Sequence, residues 1–464
     1  MNRGIIDELK KIVGAEYVLD SFTDRLLYGY DASLSSGIPD VVVIPENTDQ
    51  VSKVVSLAHR EGIAVVGRGS GTNLSGGTVP IEGGIVVHFS RMNRILEIDT
   101  INRSVLVEPG VITLELQNTL KAYGYTYAPD PASQKVSTLG GNVAENAGGP
   151  HCLKYGVTTN HVLGLEIVLS DGSVLWTGGK CQEYMGYDLK GLLVGSEGTL
   201  ALITKLLLKI IPLAEATKTF LAIFESIEDA SNTVSDIISE GIIPATLEMM
   251  DKVVIEAVEG AMGAGYPLDA EAVLIIELEG LKDGMERQSE KILRICKKNR
   301  AREIRLAKDE RERESLWKGR KGAFGAITRL RPSYLVCDGT VPRVKLPEVL
   351  SQILDIGKRY GLLIGNVFHA GDGNLHPLIL FDERDSEECS RVRMASKEIL
   401  KICKEAGGTI SGEHGIGIEK LEEMNLIFSK DELKDMKKIK RAFDPSGIFN
   451  PGKVLPDGKG SLGI

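Results

Sequence analysis

Two stretches late in the chain carry side chains that could hold a metal ion or move a proton. His369-Ala-Gly-Asp-Gly-Asn-Leu-His376 sets two imidazoles on either side of a Gly-Asp-Gly-Asn turn, and Ser411-Gly-Glu-His-Gly415 adds the carboxylate of Glu413 and a third imidazole, His414. A tight hairpin at the turn would bring His369 and His376 to one point. Two histidines and a carboxylate suit Zn2+, Fe2+ or Mn2+ and leave positions open for a substrate. The pair does not keep the helical i, i+4 interval of a zincin, so hydrogen-bonded turn histidines are the alternative. Three of the chain's seven histidines fall in these two glycine-framed turns, which favours a shared site.

A different chemistry stands early in the chain. Val65 to Thr78 reads VVGRGSGTNLSGGT, and its five glycines, Gly67, Gly69, Gly71, Gly76 and Gly77, leave backbone amides bare. Consecutive N–H groups can then point into one concavity and hold phosphate oxygens. Gly77 occupies the lysine position of a Walker A loop, which argues against an NTPase. Thr72 occupies the final glycine position of the dinucleotide fingerprint, so that motif is not matched either. The apolar run Ile63 to Val66 before the loop and Gly84 to Phe89 after it read as strands, giving a strand-loop-strand cradle. A glycine-rich surface loop is the plain alternative.

Composition bounds what these stretches can serve. A chain of 464 residues predicts two or more domains, and 42% hydrophobic with 26% charged residues describes an ordinary globular protein. A formal net charge of -9 without a basic block argues against a nucleic-acid partner. The N-terminal MNRGIIDELKKIVG has an amphipathic helix pattern and no secretory core, and no run is long enough to span a bilayer, so a cytoplasmic protein is expected. The six cysteines form no CxxC, which leaves neither a zinc knuckle nor an iron–sulfur ligand set.

The elements that must position the chemistry follow from periodicity and punctuation. Val41 to Pro45 reads as a strand, and Thr48 as the N-cap of a helix through His59 closed by Gly62; with Ile63 to Val66 this makes a β-α-β unit entering the cradle. Ile95 to Asp99 and Ser104 to Glu108 alternate as a hairpin, Thr113 to Tyr123 is helical, and Asp171-Gly172 turns a second hairpin. Leu200 to Ile211 closes the first half as a strand, with a boundary at Pro212. Beyond it, strands such as Thr219 to Phe224, Ala272 to Leu278 and Leu362 to Phe368 alternate with helices such as Ile227 to Ser239 and Leu346 to Tyr360. An antiparallel sheet with helices on one face is expected there.

A third stretch, Tyr127 to Gly149, reads YAPDPASQKVSTLGGNVAENAGG, small side chains that let backbone lie flat against a planar ligand. With the cradle and Gly195-Ser-Glu-Gly-Thr199 it resembles the FAD flavoproteins typified by vanillyl-alcohol oxidase, the PCMH type. The resemblance is closest to the D-lactate dehydrogenase and glycolate oxidase catalytic-subunit branch. It implies an α+β fold: a two-subdomain FAD-binding domain over 1–214, an α+β cap domain with an antiparallel sheet over 215–430, and a C-terminal segment over 431–464 that returns to the FAD domain and brings Asn450 near the cofactor. By the same resemblance, Arg68, Gly69, Ser70, Gly71, Thr72, Asn73, Gly76 and Gly77 wrap the FAD pyrophosphate. Asp130, Ser137, Thr138, Gly140, Gly141, Asn142, Asn146, Ala147 and Gly148 line the ribityl and ring parts, and Glu197, Gly198 and Ile203 lie by the adenosine end.

For the later stretches the resemblance implies a divalent metal on His369, His376 and Glu413, with His414 as base. Hydride then leaves C2 of a 2-hydroxy acid for flavin N5, giving a 2-oxo acid. Arg320, in Leu316-Trp-Lys-Gly-Arg-Lys-Gly322, matches the family's carboxylate-binding arginine, with Lys321 as the local alternative and a solvated helix face as the plain one. Where the D-2-hydroxyglutarate dehydrogenase pattern has a lysine before the DGTVP segment, Val336 or Cys337 stands here. A short monocarboxylate is therefore expected, D-lactate first and glycolate second. The electrons must leave for oxygen, a quinone, a cytochrome or a partner protein, and a protein acceptor such as an electron-transferring flavoprotein or an iron–sulfur subunit is favoured. A non-redox flavoenzyme of the alkylglycerone-phosphate synthase type and a non-catalytic nucleotide-binding subunit are the competing readings.

Many members of the family this chain resembles bind flavin covalently through a histidine in the cradle; none lies between Val65 and Thr78, so non-covalent FAD is expected. Denaturing the protein in acid should therefore release free FAD into the supernatant; pigment retained on the precipitated polypeptide would show a covalent link.

Overall fold

The computed structural model describes residues 1–181 and 186–456, so the last part of the expected 431–464 segment, 457–464, lies outside the described residues. The chain divides into two compact units. One comprises Met1–Gly148, Gly156–Leu213 and the chain from Glu413 onwards; the other comprises Gly149–Tyr155 and Ala214–Gly412. The return to the first unit thus begins ahead of position 431. Glu413 and His414 belong with the glycine cradle, while His369, His376 and Arg320 belong to the second unit.

Among the described residues the first unit holds two larger sheets and a two-stranded one, Ile211–Pro212 paired with Tyr125–Thr126. In the four-stranded one, Val41–Val43, Ile85–His88 and Val65–Arg68 are parallel neighbours in that order, with Val18–Leu19 antiparallel at one edge. Their unbroken apolar character has a cause: both faces are covered. Val41, Val43, Val65 and Val87 pack with Val51, Val54 and Leu57 on one side, and Val42, Val66 and Val86 form a cluster on the other. The helix Thr48–Glu61 is capped by Asn47, whose Oδ1 accepts from the Gln50 N–H at 3.0 Å, so the cap lies one residue before the expected Thr48. Strand Ile85–His88 inserts between the two strands of the expected β-α-β unit.

The second sheet of this unit has five antiparallel strands, ordered Ile95–Asp99, Ser104–Val107, Leu202–Lys209, Val162–Val168 and Val174–Gly178. Part of the small-residue stretch is helical, which its glycines concealed. Leu139–Glu145 forms a helix because Thr138 caps it, accepting from the Gly141 N–H at 3.2 Å, and Asn146 ends it at φ 53°. The C-terminal segment returns along strand Val65–Arg68. The Val65 N–H donates to the Ile448 carbonyl at 2.7 Å, the Asn450 N–H donates to the Val65 carbonyl at 2.9 Å, and Phe449 is fully buried.

The second unit is built on a nine-stranded antiparallel sheet. Ala216–Phe224, Ala272–Gly280, Thr246–Asp251 and Leu363–His369 form its centre, and Pro377–Phe381 with Ser333–Val336 extends it from Leu363–His369. Helices Lys252–Met262 and Glu310–Ile327 pack one face through Val254, Val258, Trp317 and Ala323 against Leu221, Met250 and Ile275. Helices Ile227–Ser239, Met285–Lys298 and Leu346–Tyr360 meet the same strands with residues outside that cluster. Helices therefore cover both faces, which corrects the expectation of a single covered face. The central strands are apolar at consecutive positions, AVLIIEL in Ala272–Leu278, because neither face meets water.

The segment Gly149–Tyr155 is held to this sheet by polar contacts. The His151 ring stacks on Trp317 at 6.3 Å, and Lys154 and Tyr155 both bond to Glu279. Among the described residues no helix is long and apolar enough to cross a membrane.

Candidate FAD cleft and imidazole site

The first unit contains a cleft of about 630 Å³, its mouth included, between the end of strand Val65–Arg68, the helix Leu139–Glu145 and the loop Ser196–Gly198. Of the residues expected to hold FAD, Arg68, Gly69, Gly77, Thr138, Gly140, Gly141, Glu197, Gly198 and Ile203 line it. The glycines are required by close approach. A Cβ on Gly69 would meet Thr138 Oγ1 at 2.2 Å, and one on Gly140 would meet the Pro109 side chain at 2.5 Å. Gly71 and Gly76 have φ of 70° and 81°, a conformation that lets the loop reverse.

Three of the four expected asparagines, Asn73, Asn146 and Asn450, act on backbone, and Asn142 acts on a side chain. Asn73 Oδ1 accepts from the Ser75 and Gly77 N–H groups at 2.9 and 2.7 Å, an Asx turn that sets the cradle's shape. Asn142 Nδ2 donates to Thr113 Oγ1, which also bonds to Ser137, and Asn146 Oδ1 accepts from the Thr159 N–H. Asn450 Nδ2 donates to the carbonyls of Gly77 and Glu197 at 2.9 and 2.6 Å, tying the two loops together. Ser70 Oγ donates to the Val136 carbonyl at 2.5 Å. Thr72, Asp130, Ala147 and Gly148 lie in the same loops without a wall position.

Sequence reasoning missed the apolar walls, Phe89, Pro109, Leu193 and Leu202, and it missed Glu145 and Lys453. Glu145 is held well above the ordinary carboxylate range by burial and by the Glu197 charge beside it. That disfavours a full negative charge in a cleft that would receive phosphate. Lys453 is buried, and its Nζ donates to the Gly77 carbonyl at 2.9 Å and to Asn450 Oδ1 at 2.7 Å; burial pulls it down to about 7. A neutral amine has two hydrogens, enough for these two acceptors.

In the second unit, the hairpin expected between the two histidines forms: His369 pairs with Asn374 across the turn, and Gly373 takes φ 78° with its α-carbon against the Val341 carbonyl. The His369 and His376 rings stand 5.1 Å apart between centroids, at 84°, and both are buried. His369 Nδ1 is 2.7 Å from Glu248 Oε1. Arg320 is only 3% exposed, which excludes the solvated reading; its Nε and Nη2 lie 2.7 and 2.6 Å from Glu248 Oε2. Lys321, the local alternative, is exposed. Burial raises the Glu248 carboxyl, but the His369 and Arg320 charges and hydrogen bonds outweigh it and hold it below the usual range. His376 Nε2 lies 3.6 Å from Asp338 Oδ1, and Asp338 Oδ2 accepts from Ser411 Oγ at 2.6 Å and from the Gly412 N–H at 3.1 Å.

Glu413 and His414 stand in the first unit, where the His414 carbonyl accepts from Ser75 Oγ at 3.1 Å, and its Nε2 is 3.8 Å from Glu413 Oε1. Another acidic cluster with a histidine, His151 with Glu277 and Glu279, has ligand atoms within 4.8 Å. It is a structural network: Arg313, Trp317 Nε1 and Thr219 already occupy Glu277.

Residues 39–178 match the FAD binding domain model, and residues 213–454 match FAD linked oxidases, C-terminal domain. The chain belongs to the FAD-linked oxidases. This FAD-linked oxidase is 44% identical over 457 residues to the glycolate oxidase subunit GlcD of Bacillus subtilis, covering 98% of this chain and 97% of that protein. It is 35% identical to a D-lactate dehydrogenase of Archaeoglobus fulgidus, covering 97% and 99%. Both belong to the branch that the motifs resembled. In fold it is similar to substrate-bound p-cresol methylhydroxylase, with a TM-score of 0.82 at 18% identity and coverage of 100% and 99%. It is also similar to an alkyldihydroxyacetonephosphate synthase, with 0.79 at 20% and coverage of 98% and 86%.

The cleft suits the cofactor of an FAD-linked oxidase in the chemistry of its lining: bare glycine backbone, the Arg68 cation and apolar walls. Gly69→Ala should drive Thr138 off its capping position and lower FAD affinity, read as flavin lost on dialysis with helix content unchanged. Lys453 supplies a pH signature. Between about pH 7 and its unfolded value near 10.5, the unfolded chain holds a proton that the folded chain has released, so stability from this group rises with pH in that window. Denaturation of flavin-free protein should show wild type gaining on Lys453→Met, by up to about 1.4 kcal/mol per pH unit; parallel profiles would place the titration elsewhere.

Proposed function

We propose that this FAD-linked oxidase oxidises a short D-2-hydroxy monocarboxylate, of the size of D-lactate or glycolate, to the 2-oxo acid and passes the electrons to a protein acceptor. The carrying observation is the buried arrangement of the second unit, in which Glu248 joins an arginine to one of two adjoining imidazoles. The names of the relatives support the substrate class, glycolate for one and D-lactate for the other.

Each residue then has a task. Arg320 binds the substrate carboxylate through its planar fork. His369, His376 and Glu413 would hold a divalent ion, for which two imidazoles and a carboxylate are a fitting donor set. Such an ion would supply Lewis acidity that lowers the pKa of the substrate hydroxyl. His414 takes the hydroxyl proton, the usual work of an imidazole near neutral pH. FAD, bound non-covalently, would supply the redox chemistry that accepts the electron pair from the substrate. The cradle, its shape fixed by Asn73 and Asn450, would hold the cofactor's phosphates.

The wall around His376 favours a small substrate. The Phe324 ring lies 6.4 Å from that imidazole, and Phe324 follows Arg320 by one helical turn. The position before the DGTVP segment carries no cation: Val336 is half-buried, and Cys337 is buried with its thiol donating to Ser396 Oγ at 3.3 Å. A second carboxylate on the substrate would find no partner in these two residues.

Anaerobic bleaching of the flavin tests the reading. D-lactate or glycolate should reduce it while L-lactate leaves it yellow, and a flavin untouched by any hydroxy acid would point to the non-redox alternative. Replacing His414 by Ala should slow bleaching by about 10²- to 10⁴-fold with FAD retained. Replacing His369 or His376 should remove bound metal and turnover together; unaffected turnover would overturn the site.

A further inference from the structure

The carboxylate of Glu248 is divided between two residues that the proposed reaction uses for different ends. Strand Thr246–Asp251 runs antiparallel to Leu363–His369, and the register sets Glu248 directly opposite His369. Opposed residues project from the same face of a sheet, so the short contact between Oε1 and His369 Nδ1 follows from strand pairing. The second oxygen faces the guanidinium of Arg320 on helix Glu310–Ile327, which packs on that face. Glu248 itself is fully buried, so water does not compete for either oxygen.

We propose that Glu248 is a positioning residue that fixes the tautomer of His369 and the edge of Arg320 offered to substrate. The inference rests on the function proposed above. A carboxylate only accepts hydrogen bonds, so the neutral imidazole must carry its proton on Nδ1, and the lone pair falls to Nε2, the nitrogen that can ligate a metal. On the arginine, Glu248 takes the edge formed by Nε and Nη2. The edge between Nη1 and Nη2 is then the one that can hold both oxygens of a substrate carboxylate. One carboxylate thereby sets the spacing between the substrate's anchor and the metal's ligand.

Glutamine at this position separates the idea from mere packing, because an amide has one accepting and one donating end. The arginine cation would claim the amide oxygen and turn the NH2 toward His369. Nδ1 must then accept, and the proton moves to Nε2. The experiment uses the full-length, FAD-loaded protein with isotopically labelled histidine nitrogens, and two-bond proton–nitrogen spectra with His369 assigned by its loss in His369→Ala. In wild type without metal, His369 should show the Nδ1–H tautomer; in Glu248→Gln it should invert. Titration with Zn2+ alone should show affinity about 10- to 100-fold weaker in Glu248→Gln.

Should that variant fail to fold, Glu248→Asp keeps a negative charge beside Arg320 on an arm too short to serve both partners, and should still lose the fixed Nδ1–H signal. An unchanged His369 tautomer in the folded variants, or unchanged Zn2+ affinity, would overturn the assignment of Glu248. Absence of Zn2+ binding in wild type would instead overturn the metal reading, and the tautomer comparison would still decide the role of Glu248.

Discussion

A buried carboxylate shared by two cationic or proton-bearing partners is the constraint on which the second unit's chemistry rests. Isolated, the Glu248 charge would be expelled by its surroundings, and removing one partner of a buried pair typically costs about 3–5 kcal/mol. Here the cost is offset because both oxygens have short contacts, one on His369 and one on Arg320. The sheet provides one partner through register, and a helix packed on the sheet provides the other. The geometry is therefore set by rigid elements, with only the His369–Asn374 hairpin to place the second imidazole.

The first unit solves a different problem, holding a bare, concave backbone without letting it collapse. Glycine supplies the concavity but adds conformational freedom that folding must remove, and asparagine restores order: Asn73 closes an Asx turn inside the cradle, and Asn450 bridges the Gly77 and Glu197 carbonyls. The C-terminal segment matters here as structure. By pairing along Val65–Arg68 it seats Asn450 and Lys453 behind the cradle, so the loop's shape depends on residues nearly four hundred positions away.

The two acid groups of the cleft show how burial tunes charge. Glu197 has its two oxygens on the Ile416 and Gly417 N–H groups at 2.7 Å, which partly counter the burial that raises it. Glu145 lacks such support at Oε2 and is pushed further toward its neutral form. A cleft proposed to receive phosphate can carry acids on these terms.

Much of this was legible in the chain. The glycine spacing of VVGRGSGTNLSGG, the absent Walker lysine, the small-residue stretch and the two glycine-framed histidine turns determined the family, the fold and the cofactor, because those features are local and their chemistry depends on residue type. Spacing also foretold the hairpin that joins His369 to His376. Tertiary structure alone decided what depends on register and packing. Glu248 is an unremarked acid in a strand until antiparallel pairing puts it opposite His369, and Arg320 looks like one charge on a solvated helix until that helix docks on the sheet. The helix Leu139–Glu145 was hidden because its two glycines spoil local propensity while a cap and packing restore it. Periodicity records which faces are apolar; it does not record which distant strand will lie alongside.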